Sequence, residues 1–235
     1  SVGWYTGGTP SNLTALVEKI NGGPFAGYIA GGLGGVISTY PDVKKYTDKV
    51  FTKQAQKDLD FPKKHCQGDI TSHFHFKNFY DKSFSTVGKR FLYEPVIQNT
   101  LNELTMGVNP EFTPDTPVLM VHGISDEVAP YEAAHTTYKS WCKNGADVEF
   151  VNFANPVSAH GVTTVTSSVP GFLWIRDRLQ GKPVQSGCRE SKNYDVGINS
   201  HALGEDFESA LGLLKGLLGD KIGPNDQYLK DALHK

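Results

Sequence analysis

The sequence predicts an α/β fold in which helices cover a parallel β-sheet. Two short apolar runs, Pro117–Gly123 and Val148–Phe153, have the length and composition of buried strands. Residues Tyr131–Asn144 lie between them and carry apolar side chains at helical spacing. A further helix is predicted for residues 168–179, with Pro170 in its first turn. The order strand, helix, strand, helix is typical of βαβ units and therefore of a parallel sheet.

The composition restricts the class of protein. Of the 235 residues, 38% are hydrophobic and 20% are charged, which is too apolar a mixture for a disordered chain. The formal net charge is −2 and no basic run stands out, so nucleic acid is not an expected partner. No stretch approaches the roughly 18 consecutive apolar residues that span a membrane. The length suits one large domain, or one domain with an insertion.

The region before these strands is predicted to be mainly helical. Residues 2–5 suggest a short strand that ends at the turn Gly7-Gly8-Thr9-Pro10. Ser11 is a plausible N-cap for a first helix, which carries apolar residues at helical spacing as far as Ile20. The polar, lysine-rich stretch Asp42–Phe61 predicts an exposed helix. The chain starts at Ser1 without Met, as does a processed secreted protein or an internal fragment.

A glycine-rich segment follows the first helix and has two interpretations. Within Phe25–Tyr40, Gly27, Gly31 and Gly35 recur every four residues, which places bare backbone along one helical face. Close packing against another helix is the more common meaning of this pattern. A groove that holds an extended apolar ligand is the alternative.

Two side chains follow the predicted strands at positions suited to catalysis. Asp126 comes after the first strand and His160 after the second. In open α/β sheets, functional groups gather outside the carboxyl ends of the strands, so an acid and a histidine there can form a hydrogen bond. This order is the end of a Ser–Asp–His triad. No serine lies in a Gly-x-Ser-x-Gly elbow, since Glu127 replaces the second glycine after Gly123-Ile124-Ser125.

One histidine-rich segment has the composition of a metal site but not its spacing. It contains His65, Cys66, His73 and His75. No Cys-x-x-Cys or His-Glu-x-x-His frame is present, and the spacing of His73 and His75 suits a strand better than a helical site. The sequence therefore predicts neither a metal nor a cofactor.

Several segments, together with Asp126 and His160, resemble one known family. The segment Asn21-Gly22-Gly23-Pro24-Phe25-Ala26-Gly27, preceded by Gly7-Gly8-Thr9-Pro10, is similar to the fungal secretory lipase family typified by Candida antarctica lipase A. Residues 117–131, 141–148 and 171–179 are similar to the same family. The resemblance covers most of residues 1–190 and corresponds to the C-terminal half of the family's chain.

The resemblance implies the C-terminal half of an α/β-hydrolase fold with a mainly helical inserted cap. Residues 1–10 would end a core strand, 11–110 would form the cap, 111–190 the core, and 191–235 a mainly helical extension. Asp126 and His160 would be the acid and base of the triad. The serine and the oxyanion-hole donors would lie in a segment N-terminal to this chain. The cap would shape an acyl-binding tunnel, with the substrate-binding residues Phe25, Ala26, Gly27 and Ile29 at or near it.

The three cysteines cannot all pair within the chain. The family is secreted and disulfide-bonded, and the resemblance supports a bond between Cys142 and Cys188. Cys66 would then pair with a cysteine in the N-terminal portion, and a free buried thiol is the alternative. Asn12-Leu13-Thr14 is a glycosylation acceptor sequence and is consistent with secretion to the extracellular space.

The expected function is therefore carboxylic ester hydrolysis by a secreted triacylglycerol lipase or esterase. The expected partners are a lipid or other ester substrate and the N-terminal portion that carries the nucleophile, with transient contact at a lipid interface. Two alternatives belong to other classes. One is a serine peptidase of the same fold, and the other is a non-catalytic lipid-binding fragment.

Overall fold

The computed structural model describes residues 1–193. The amphipathic stripe and the helical extension expected beyond residue 193 lie outside the described residues. Two compact units make up the chain. Among the described residues, the first contains 1–9, 114–126 and 145–193, and the second contains 10–113 and 127–144.

The described elements alternate in the order that the sequence predicts after residue 117. The strands are β1 (Trp4–Gly7), β2 (Val118–Gly123), β3 (Val148–Phe153) and β4 (Cys188–Asn193). The helices are α1 (Leu13–Ile20), α2 (Gly27–Thr39), α3 (Pro41–Val50), α4 (Lys53–Asp58), α5 (Gln67–His73), α6 (Pro95–Glu103), α7 (Tyr131–Lys143) and α8 (His160–Leu179). Short 3₁₀ turns cover Gly88–Tyr93 and Pro110–Phe112.

The first unit is built on a parallel sheet in the order β1-β2-β3-β4. Every residue of β2 is buried, as its continuous apolar run predicts, because neighbouring strands and covering side chains enclose it. In the register of the sheet, Val118 lies beside Val148, and Val148 lies beside Cys188. This alignment brings the carboxyl ends of β2 and β3 to the same edge. The predicted α/β class is therefore confirmed.

Helix α8 covers the sheet and starts earlier than predicted. It begins at His160, where the sequence predicts a start near Ser168, and Pro170 lies inside it. The extra turns are rich in threonine, valine and serine, which have modest helix propensity. Tertiary packing holds them, since Ser167 in these turns shares a hydrogen bond of 2.7 Å with the hydroxyl of Tyr5. Further along α8, the ring of Tyr5 leaves no room for a side chain on Gly171. Burial raises the pKa of Tyr5.

The second unit is helical around an aromatic core. The rings of Phe51 and Phe84 lie 4.9 Å apart, and Phe91 meets Phe51 edge-on at 5.2 Å. Phe51 also explains why the single exposed helix predicted over 42–61 is wrong. This buried residue separates α3 from α4, and the hydroxyl of Thr52 accepts a hydrogen bond from the backbone of Ala55 to begin α4.

Two smaller predictions for the second unit also need correction. Asn12, and not Ser11, caps α1: its side-chain oxygen accepts a hydrogen bond of 3.0 Å from the backbone of Ala15. His73 is the last residue of α5 and not part of a strand. Among the described residues, no helix has both the length and the apolar character needed to cross a bilayer.

Candidate active site

Asp126 and His160 form a hydrogen-bonded pair in the first unit. The Nδ1 atom of His160 lies 2.8 Å from Oδ2 of Asp126. The carboxyl group is fully buried, whereas 29% of the histidine side chain is exposed. A buried carboxylate on Nδ1 selects the tautomer that leaves Nε2 as a proton acceptor. The arrangement is therefore suited to a general base that belongs to a partly exposed side chain.

The loop that carries Asp126 is fixed to the ends of β2 and β3. The backbone N–H of Ile124 donates to the carbonyl of Phe153 at 3.1 Å, and the N–H of Asp126 donates back to the carbonyl of Gly123 at 3.2 Å. Gly123 ends β2 at a point of close packing, because a Cβ at this position would overlap the carbonyl oxygen of Ser158. The absence of a side chain at residue 123 therefore allows the loop after β2 to lie close to the loop after β3.

His160 is placed by the loop between β3 and α8. Asn155 organises this loop: its side-chain oxygen accepts from the N–H of Val157 at 3.1 Å, and its carbonyl accepts from the hydroxyl of Ser158 at 2.8 Å. Ser158 is fully buried, and its hydroxyl oxygen lies 3.4 Å from the N–H of Ser125. His160 then begins α8, so both a tight loop and a helix define its direction.

Two residues that sequence reasoning did not assign to the site lie against the pair. Gly8 has a φ of +58°, and a Cβ at this position would lie 2.6 Å from Cε1 of His160 and 3.2 Å from Oδ2 of Asp126. His122 in β2 is completely buried, and its Nε2 atom lies 3.5 Å from the same Oδ2. In the sequence, only the spacing of four residues between His122 and Asp126 could have indicated that His122 lies near the pair. For Gly8, the sequence indicated only that it is part of a turn.

The residues predicted to bind substrate lie in the second unit, where α1, α2, α6 and the turn at Gly88–Tyr93 surround an apolar cavity of about 70 Å³. Ile29 lines this cavity together with Gly32. Phe25 stacks on Tyr28 with ring centres 6.2 Å apart, and Tyr28 lines the cavity as well.

Ala26 and Gly27 serve packing in the same unit. Ala26 is completely buried. Gly27 lies so close to α5 that a Cβ would sit 2.6 Å from the carbonyl oxygen of Ile70. The close-packing interpretation therefore applies to Gly27, while Gly31 and Gly35 have open space above them.

The three cysteines differ in their state. Cys142 and Cys188 are both disulfide-bonded, which agrees with the disulfide that the resemblance implies. Cys66 is free within this chain and exposed, so it is not the buried thiol of the alternative interpretation. Within residues 1–193, no group of three or more His, Cys, Asp or Glu side chains is arranged to hold a metal ion.

Comparison with known proteins places the chain and its fold in a family. Residues 1–187 match the family described as secretory lipase. The secreted triacylglycerol lipase LIP3 of Malassezia globosa is 89% identical over the whole chain, and LIP1 of Malassezia furfur is 37% identical over 97% of it. The chain covers 52% and 47% of those two proteins, so it spans about half the length of the curated relatives it matches.

A solved structure gives the same result for the fold. Candida antarctica lipase A in its closed state matches with a TM-score of 0.76 and 25% sequence identity, over 89% of this chain and 50% of that chain. A family match over most of the sequence, and a shared three-dimensional fold, together show that the chain belongs to the secretory lipase family.

Proposed function

We propose that the complete protein is a secreted triacylglycerol lipase, and that Asp126 and His160 are the acid and base of its Ser–Asp–His triad. The observation that carries this proposal is the 2.8 Å bond between Nδ1 of His160 and the buried carboxylate of Asp126. The pair lies at the carboxyl ends of adjacent parallel strands. The curated relatives are named secreted triacylglycerol lipases, which supports both the ester substrate and secretion.

The proposed mechanism follows from which nitrogen of His160 is engaged. Nε2 takes the proton of the serine hydroxyl as its oxygen attacks the ester carbonyl. His160 then delivers this proton to the departing alcohol, and a water molecule repeats the sequence to release the fatty acid. Asp126 keeps the proton on Nδ1 and stabilises the imidazolium that forms in each half-reaction.

The nucleophilic serine is proposed to lie in a segment N-terminal to this chain. In α/β-hydrolases the triad residues follow the order serine, acid, histidine. This sequence contains no Gly-x-Ser-x-Gly elbow, and it spans about half of its relatives. In the described sheet, β1 pairs only with β2, so its outer edge is open to a further strand. We propose that the N-terminal portion adds to this edge and that one of its cysteines pairs with the exposed Cys66.

The apolar cavity of the second unit is the proposed site for an acyl chain. Its lining is almost entirely aliphatic and aromatic, as a hydrocarbon chain requires. Among the predicted substrate-binding residues, Ile29 would contact the chain and Phe25 would support Tyr28. Ala26 and Gly27 would hold α2 in place.

The triad is tested in the complete protein by His160→Ala and Asp126→Asn. Each is expected to lower kcat on an emulsified triacylglycerol by on the order of 10⁴-fold, because the base or its orientation is lost. His75→Ala is a matched control, since His75 is exposed and stacks only on Phe76 among the described ring contacts. Near-normal turnover by His160→Ala would exclude this triad. Cleavage of peptide amides in preference to esters would favour the peptidase, and lipid binding without turnover would favour the non-catalytic alternative.

The acyl site is tested by two substitutions on the same helix. A Cβ at Gly32 or at Gly35 meets nothing within 4 Å, but only Gly32 lines the cavity. Gly32→Val is expected to lower the rate of hydrolysis of long-chain esters relative to short-chain esters by about 10-fold. The valine side chain would occupy the space of at least one methylene group of the acyl chain, and one methylene in an apolar pocket changes specificity by about this factor. Gly35→Val is expected to leave the ratio unchanged. Equal ratios for both variants would place the acyl chain elsewhere.

The Cys66 proposal is tested by the mass of peptides released from the native protein without reduction. A peptide that contains Cys66 is expected to carry a second peptide from the N-terminal portion and to lose it on reduction. Recovery of Cys66 as a free thiol would exclude this disulfide.

A further inference from the structure

The carboxylate of Asp126 faces two histidines, and only one of them has a role in the proposed mechanism. His160 contacts Oδ2 of Asp126 at 2.8 Å through Nδ1. His122 contacts the same oxygen at 3.5 Å through Nε2. The side chains of His122 and Asp126 are both completely buried. A titratable side chain therefore lies against the acid on the side away from solvent.

The two histidines differ in how firmly the chain holds them. His160 is at the start of a helix and is partly exposed. His122 belongs to β2, where it lies beside Asn152 of β3 in the register of the sheet. A side chain within a strand that is buried along its whole length has little freedom to move. The imidazole ring of His122 is therefore held in one position, whereas Asp126 lies on the loop that follows β2.

A buried carboxylate needs donors, because removing an anion from water is costly unless polar groups replace the hydration. Neutral histidine with its proton on Nε2 presents an N–H dipole to Oδ2. At 3.5 Å this contact is longer than a short hydrogen bond, but the dipole still acts on a full charge in a medium of low dielectric constant. Catalytic hydrogen bonds are also often long before substrate binds and shorten afterwards.

We propose that His122 is a positioning residue for the triad acid. Its Nε2–H holds the Asp126 carboxylate in the rotamer that directs Oδ2 at Nδ1 of His160. It acts only through Asp126 and has no contact with substrate. This inference rests on the proposed function, because the pair it supports is the proposed acid and base.

Two amide replacements distinguish this role from simple filling of space. The amide nitrogen of Gln reaches close to the position of Nε2 in histidine, whereas that of Asn reaches only the position of Nδ1. In the complete protein, His122→Asn is expected to lower kcat by about 10- to 100-fold with little change in KM, because the acid loses its fixed orientation. His122→Gln is expected to restore most of kcat. Thermal unfolding of both variants verifies that each is folded.

A double variant tests whether the effect passes through Asp126. Adding His122→Asn to Asp126→Asn is expected to lower the residual activity no further, since the carboxylate it positions is already absent. Equal kcat values for wild type, His122→Asn and His122→Gln would overturn the inference, as would equal losses in both variants. The proposed triad is judged separately: it fails if Asp126→Asn or His160→Ala remains active, and it stands if those lose activity while His122→Asn does not.

Discussion

Gly8 lies directly against the imidazole ring of His160. A Cβ at Gly8 would be 2.6 Å from Cε1 and 2.7 Å from Nδ1 of His160, closer than real Cβ contacts. The backbone cannot yield easily, because the N–H of Gly8 donates to the carbonyl of Val121 at 2.9 Å. Any side chain at position 8 must therefore displace the ring whose Nδ1 is bonded to Asp126.

We expect Gly8→Ala to lower kcat of the complete protein by about 10²-fold, since a shift on the order of 1 Å in a catalytic group has an effect of that size. The change also costs about 1–2 kcal/mol of backbone strain, because Gly8 has a φ of +58°. Steady-state kinetics on a soluble ester, together with thermal unfolding, measure the two effects separately.

Gly22→Ala is the matched control for Gly8→Ala. Gly22 has a φ of +74°, so alanine brings similar strain, but a Cβ there meets nothing within 4 Å. Gly22→Ala is expected to lose stability and to keep its kcat. If the two variants lose equal activity, backbone strain and not the contact with His160 explains the loss.

The sequence was sufficient to predict β2, β3 and the proximity of Asp126 and His160, but it did not predict β4 (Cys188–Asn193). Val118–Gly123 is apolar throughout because both of its faces are buried, and such a run is recognisable without a structure. Once two adjacent parallel strands are known, the loops after them must lie at one edge. Asp126 and His160 could therefore be brought together by their order along the chain alone.

The surroundings of that pair could not be predicted, because they depend on contacts distant in sequence. Nothing local distinguishes Gly8 from an ordinary turn glycine, since its neighbour His160 arrives from another part of the chain. The start of α8 was missed because packing against the sheet overrides the weak helix propensity of residues 160–168. The place of His122 beside the pair was equally hidden, because it is known only from the 3.5 Å distance between its Nε2 atom and Oδ2 of Asp126.

The glycine pattern of α2 offers a second prediction about packing. Gly27 touches the backbone of α5, with a Cβ placed 2.6 Å from both the Ile70 oxygen and the Thr71 Cα, whereas Gly31 has open space above it. Backbone atoms cannot rotate away, so Gly27→Ala is expected to lower the free energy of unfolding by about 1–3 kcal/mol. Gly31→Ala is expected to raise it by up to about 1 kcal/mol, because alanine is the better helix former. Urea denaturation measures both, and a stable Gly27→Ala would contradict close packing.

Asn12 combines a helix cap with a predicted glycosylation site. Its Oδ1 atom accepts the hydrogen bond from Ala15, and a glycan on the side-chain nitrogen leaves this oxygen in place. Asn12→Asp is expected to keep the cap and remove one glycan from the secreted protein, as shown by intact mass. Asn12→Ala is expected to remove both and to cost about 1 kcal/mol of stability. Identical masses for wild type and Asn12→Asp would show that the site is not used.

Because the hydroxyl of Tyr80 is buried, we expect the protein to lose stability in alkaline solution. This hydroxyl has no hydrogen-bond partner among the described residues, and burial raises its pKa to about 12. An unfolded tyrosine ionises near pH 10. Below pH 10 the Tyr80 hydroxyl keeps its proton in both the folded and the unfolded protein, so its ionisation does not lower the free energy of unfolding. Between about pH 10 and 12 only the unfolded state releases its proton, so stability falls as the pH rises.

We expect Tyr80→Phe to keep or increase stability at neutral pH, because it removes a buried hydroxyl without breaking a hydrogen bond. Its stability should also fall less steeply above pH 10. Tyr5→Phe provides the contrast. Burial also raises the pKa of Tyr5, but its hydroxyl bonds to Ser167, so this variant should lose about 1 kcal/mol even at neutral pH. Unfolding in urea at pH 7 and pH 11 measures these differences, and a Tyr80→Phe protein as alkali-sensitive as wild type would contradict the role of Tyr80.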